Sequence, residues 1–162
     1  MSENFEFDEE RAFELVKERI RSRMIVAGEF VESAAKALAP VDTGNLRASI
    51  KAELIGWNKV RIGTAVIYAA IHEFGGEIKP VKAGALTVPL NDEARRSSAR
   101  DFPDLFLLKP RDGGAFLVRQ RGDSLEFMYE LQKSVFIPAR PYLRPSIYNN
   151  KNQIKRIIGD AK

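Results

Sequence analysis

The sequence predicts an α+β fold in which a long N-terminal amphipathic helix packs on a mostly antiparallel sheet, with short helices at three motifs and a C-terminal helix. Two observations carry this. Phe13, Val16, Ile20, Met24, Ala27, Val31, Ala34 and Leu38 recur at steps of three and four, which draws one stripe along a helix from about Asp8 to Ala39. Beyond position 50 the pattern changes to short apolar runs separated by Gly, Pro, Asn and Asp, the punctuation of hairpins.

A chain of 162 residues suits one domain, 1–162, with 77–136 as a β-rich insertion. Hydrophobic residues at 44% and charged residues at 30% describe a globular protein, and no apolar run reaches the roughly 20 residues of a membrane helix. The acidic N-terminus lacks a signal-peptide pattern, and the absence of cysteine excludes disulfides, thiol nucleophiles and cysteine-bound metals. The net charge of +4 is a weak pointer to nucleic acid, but its distribution is uneven. Residues 1–10 carry five acids and no base, whereas 133–162 carry seven bases against Asp160 alone. Such ends complement helix dipoles, or else complement each other between neighbouring subunits.

In chain order, Asp8, Glu9 and Glu10 mark the start of the first helix and Pro40 marks its end. Its ~30 residues would span roughly 45 Å, and heptad spacing within the stripe offers packing between subunits as an alternative to covering a sheet. Val41–Ile50 reads as a short helix capped by Asp42 or Thr43, a hinge between helix and sheet. Two strands, Ile50–Trp57 and Val60–Thr64, are expected to turn at Asn58-Lys59, and Ala65–Phe74 returns to helical spacing before Gly75 and Gly76. Ala85–Leu90 reads as a strand and Asn91–Asp101 as an exposed loop. Arg95, Arg96 and Arg100 of that loop are either solvated or in contact with phosphate. Arg111-Asp112-Gly113-Gly114 predicts a hairpin between Leu105–Leu108 and Ala115–Val118. Arg121-Gly122-Asp123 reads as a turn rather than an adhesion signal, with one strand following over Leu125–Phe136. Pro138, Pro141 and Pro145 stiffen a corner, after which a single helix begins at Tyr142.

His72-Glu73 invites a zinc-protease comparison, but that chemistry needs a second histidine four residues on, where the chain has Gly76 and no other histidine. Without cysteine, a glycine-rich phosphate loop or zinc spacing, no active site assembles from the residues. The expectation is a non-enzyme without metal or cofactor. The rival is a nucleic-acid-binding module that uses Arg95, Arg96, Arg100 and the C-terminal bases.

Three stretches, taken together, carry a resemblance: Ala-Pro-Val-Asp-Thr-Gly-Asn-Leu-Arg-Ala-Ser-Ile (Ala39–Ile50), Tyr-Ala-Ala-Ile-His-Glu-Phe-Gly-Gly (Tyr68–Gly76) and Ile-Pro-Ala-Arg-Pro-Tyr-Leu-Arg-Pro (Ile137–Pro145). In this order after a long helix they resemble the virion morphogenesis, or tail-completion, proteins of tailed bacteriophages. The long segment between the second and third motifs, with Pro89 and Asp101-Phe102-Pro103, is similar to the Mu-like branch. The resemblance implies a structural protein that assembles at the head-proximal end of the tail and helps join tail to head at the neck, often as a ring. Its partners would be other tail and neck proteins and copies of itself. It would be a monomer when free, touch DNA only in passage, have no membrane contact, and locate to the virion after assembly in the host cytoplasm. No catalytic residue carries over. The structural or assembly positions implied are Asp42, Thr43, Gly44, Leu46 and Arg47; Tyr68, His72, Glu73, Phe74, Gly75 and Gly76; and Pro138, Arg140, Pro141, Tyr142 and Leu143.

Overall fold

A computed structural model of the chain describes residues 8–159. Glu3, Glu6, Asp160 and Lys162 of the charged ends lie outside the described residues. The elements in chain order are α1 (Glu9–Leu38), α2 (Asn45–Ser49), β1 (Lys51–Ile55), β2 (Lys59–Gly63), α3 (Ala69–Phe74), β3 (Gly76–Ile78), β4 (Leu86–Pro89) and α4 (Asp92–Arg96). A 3₁₀ turn (Ala99–Asp101) follows, then β5 (Phe106–Leu108), β6 (Phe116–Arg121), β7 (Ser124–Gln132), β8 (Val135–Ile137), α5 (Leu143–Tyr148) and α6 (Lys151–Gly159). The fold is α+β, and among the described residues all strand pairs are antiparallel. The described chain forms two compact units: residues 8–75 with 138–159, and residues 76–137.

In the first unit the Asp8 carboxylate accepts the Arg11 N–H at 2.9 Å, so α1 starts at the acidic cluster, and it stops at Leu38, with only the cap residue Ala39 before Pro40. Its C-terminal half covers the β1–β2 hairpin through small residues: Ala27, Gly28, Val31 and Ala35 are buried. Gly28 makes the closest approach, since a Cβ there would stand 2.8 Å from Val60 Cγ1. Glu32 of α1 accepts the Ala52 N–H at 2.6 Å, which ties the helix to the start of β1. The core beneath is Ala35, Ala39, Leu46, Ile50, Ala69 and Tyr142, flanked by Ile62, Val66 and Leu143.

Four local expectations change in this unit. The α2 cap is Gly44 at φ 85°, not the side chain of Asp42 or Thr43, because a left-handed entry is open to glycine at no steric cost. The hairpin pairs Ile55 with Lys59, so it turns at Gly56-Trp57-Asn58 rather than Asn58-Lys59, with Gly56 at φ 68° supplying the reversal. The third helix begins at Ala69 instead of Ala65, since Thr64 Oγ1 accepts the Val66 N–H and holds a turn there. The C-terminal helix is two helices: at Asn149-Asn150 the Asn150 side chain donates to the Ser146 carbonyl at 2.8 Å, and the axis restarts as α6.

The second unit contains a four-stranded sheet in the order β4-β7-β6-β5 and a separate β3–β8 pair. The strand expected over Leu125–Phe136 divides because its two ends pair with different partners, β6 and β4 up to Gln132 and β3 from Val135. A bulge opposite Leu117/Val118 leaves Met128 as the extra residue of β7, and it is fully buried. Asn91–Asp101 is not an open loop. Asn91 Oδ1 caps α4 through the Ala94 N–H at 2.8 Å, Ser98 and Asp101 form a reciprocal capping box, and Tyr129 Oη donates to the Ala94 and Ser97 carbonyls. Arg119 of β6 bridges Glu93 of α4 and Glu126 of β7. Arg121-Gly122-Asp123 forms the β6–β7 turn, with Gly122 at φ 63°.

Candidate functional site

The second and third motifs meet at Glu73. Helix α3 places this carboxylate where it is only 3% exposed, and it faces the start of α5. The first turn of any helix leaves backbone donors without partners, and the α5 cap residue Tyr142 supplies no side-chain acceptor. Glu73 supplies it from across the unit. Oε2 accepts the N–H groups of Tyr142 at 2.8 Å and Leu143 at 2.9 Å; Oε1 accepts the Arg144 N–H at 3.0 Å and its guanidinium Nε at 3.4 Å. Burial by itself pushes the Glu73 pKa up and is the largest single effect. The three backbone hydrogen bonds and the Arg144 guanidinium together outweigh it and hold the pKa below its ordinary value. The glutamate therefore acts as a charged remote cap, with the helix dipole favouring its charge.

Neighbouring contacts reinforce the junction. The His72 carbonyl accepts the Arg140 N–H at 2.7 Å, which binds the α3 turn to the proline corner. The Arg144 guanidinium lies 4.8 Å from the centre of the exposed Phe74 ring. Gly75 ends α3 at φ 68° and Gly76 follows at φ 145°, backbone that side chains rarely adopt. The His72 imidazole takes no part in the bond to Arg140, which its backbone carbonyl accepts. Its Nδ1 is buried without a protein partner among the described residues, and the ring meets Tyr68 edge to face at 5.9 Å.

The first motif joins through a cleft of ≈ 350 Å³ lined by Asp42, Thr43, Gly44 and Leu46 together with Tyr68, His72 and Arg140. All three motifs thus line one cleft of the first unit. A second cleft of ≈ 330 Å³ is bounded by Glu73, Phe74, Tyr142, Leu143 and Arg144. Arg47, Pro138 and Pro141 are exposed and line neither cleft. Arg95, Arg96 and Arg100 belong to the second unit, where all three are exposed. Among the described residues no group of three or more His, Asp or Glu could hold a metal ion, and no helix is long and apolar enough to cross a membrane. Two residues of the junction are not singled out by the sequence. Arg144 sits inside the third motif without distinction from its neighbours. Ser146, fully buried and donating to the Leu143 carbonyl at 2.7 Å, carries no sequence signal at all.

Residues 31–160 match the phage virion morphogenesis family. The chain belongs to that family. The matched span contains all three motifs and both clefts, and it leaves out the first 30 residues, where α1 begins. No significant match was found among curated proteins or solved structures. Membership makes this a structural protein of phage assembly, associated with the virion and acting with other phage structural proteins. Within the first unit, the junction of the motifs is a charged cap and a stiff corner that tie α3 to the start of α5.

Proposed function

We propose that this protein completes the phage tail and helps join it to the head, as a non-catalytic ring subunit at the neck, and that it belongs to the Mu-like branch of its family. The family match over 31–160 is the observation that carries the reading. The Mu-like assignment rests on the long segment between the second and third motifs. The locked motif junction supports a subunit whose surface must be held rigidly for neighbours, because preorganisation lowers the cost of association. Free subunits are monomers that assemble when a growing tail recruits them, and DNA touches the ring only in passage. The test is deletion of the gene from the phage that encodes it, followed by electron microscopy of the lysate. Separate DNA-filled heads and tails, or tails of uncontrolled length, are the expected result. Normal joined particles would overturn the proposal.

A further inference from the structure

The apolar stripe of α1 is covered along only part of its length. Ala27, Val31 and Ala35 are buried, whereas upstream on the same face Phe13 and Val16 are 55% and 54% exposed, and no residue before Ala27 is buried among those described. At 100° per residue Phe13 and Val31 point in the same direction. Ile20 and Met24 between them are half-buried, and α6 reaches as far as Arg23, whose guanidinium donates to the Ile158 carbonyl at 2.9 Å. The apolar face therefore runs on uncovered over its first turns, at Phe13 and Val16. Acids flank it: Glu9 and Glu10 in the first turn have no ion-pair partner among the described residues. In the same unit, the corner between α5 and α6 shows the opposite character. Ile147 and Tyr148 are 45% and 72% exposed, and Lys151, Lys155 and Arg156 beside them have no carboxylate partner among the described residues.

We propose that the exposed start of α1 docks on the α5–α6 corner of a second copy of this chain, Phe13 and Val16 against Ile147 and Tyr148, with Glu9 and Glu10 facing Lys151 and Lys155. The complementarity of charge and of apolar surface selects a second copy as the occupant. The two patches differ, so the contact is head to tail and repeats from copy to copy, which closes a ring when its rotation divides the circle. The inference deepens the ring assembly proposed above and rests on it.

The chain has no cysteine, which makes a cross-link test clean. Phage carrying Val16→Cys and Tyr148→Cys in the same chain would be oxidised as particles and run on a non-reducing gel. A ladder of covalent multimers is expected, absent from either single variant. Adding Lys151→Glu and Lys155→Glu should cut the ladder about tenfold at low salt. Co-expression with a chain carrying Glu9→Lys, Glu10→Lys and the same cysteines should restore it. Circular dichroism of each purified variant keeps a folding defect from being mistaken for a lost contact. A chain that stays a monomer band inside joined particles would overturn this contact and leave the neck role standing. A cross-link from Val16→Cys to a different structural protein would overturn the choice of occupant. Absence of the chain from joined particles would overturn both proposals.

Discussion

Replacing Glu73 by glutamine tests whether the motif junction is held by one charged cap. The carboxylate accepts three backbone N–H groups, one of them on the fully buried Tyr142. Hydrogen bonds to a charged group contribute about 1.5–3 kcal/mol each, and a buried donor left without a partner costs about 1–3 kcal/mol. Glutamine keeps the shape and one carbonyl oxygen, but its amide nitrogen must face an N–H donor. We expect a loss of about 3 kcal/mol, with Glu73→Ala losing about 4 because it removes every acceptor. For a chain of this size such a loss lowers Tm by about 6–12 °C. Urea unfolding at neutral pH, followed through Trp57, reads the correct part of the molecule. That residue is the only tryptophan and lies in the same unit as Glu73.

The sign of the pH dependence follows from the lowered pKa. A carboxylate whose folded pKa lies below its unfolded value of ~4.3 contributes stability that is fully present above ~4.3 and lost as pH falls through the folded pKa. The gap between wild type and Glu73→Gln should therefore be constant near neutrality and shrink on acidification below ~4.3. A variant within about 0.5 kcal/mol of wild type at neutral pH, or a gap that ignores acid, would refute the charged-cap account.

Gly28→Ala sets a helix-propensity gain of about 1 kcal/mol against a Cβ placed 2.8 Å from Val60 Cγ1 and 3.3 Å from Ala52 Cβ. Val60 is stiff at χ1 and overpacking costs about 1–3 kcal/mol, so thermal unfolding should show a net loss of about 1 kcal/mol. A stabilised variant would mean that the hairpin yields. Tyr142→Phe removes a buried hydroxyl that has no protein partner among the described residues. Urea unfolding should find stability unchanged or raised by up to about 1 kcal/mol, and a clear loss would reveal a partner for that hydroxyl. The triple variant Arg95→Ala, Arg96→Ala, Arg100→Ala should leave duplex-DNA affinity at physiological salt unaltered in a filter-binding titration. A steep fall with a reduced salt slope would favour a nucleic-acid-binding role instead.

Local chemistry makes much of the chain legible. The bounds of α1 follow from Asp8, the acids after it and Pro40, because capping and the missing proline N–H act within a few residues. Alternation places the hairpin strands, and the turns that shift do so by a residue or two, toward whichever glycine can take a positive φ. Asn91–Asp101 departs from a loop for a related reason: Asn91, Ser98 and Asp101 are loop residues by composition, yet the same side chains cap short helices. The three motifs carry the family resemblance through their residues and their order along the chain.

The sequence alone determined the fold class, the family and the three stretches that matter, since periodicity, punctuation and motif order are properties of neighbouring residues. Only the tertiary structure decided what those stretches do to one another. Nothing within a few positions of Glu73 announces that its carboxylate caps a helix 69 residues further on. The division of Leu125–Phe136 into β7 and β8 likewise depends on which distant strands lie beside it. Nor could periodicity tell that the α1 stripe is buried at Val31 and bare at Phe13, because a repeat states which face is apolar, whereas burial depends on where the covering elements end.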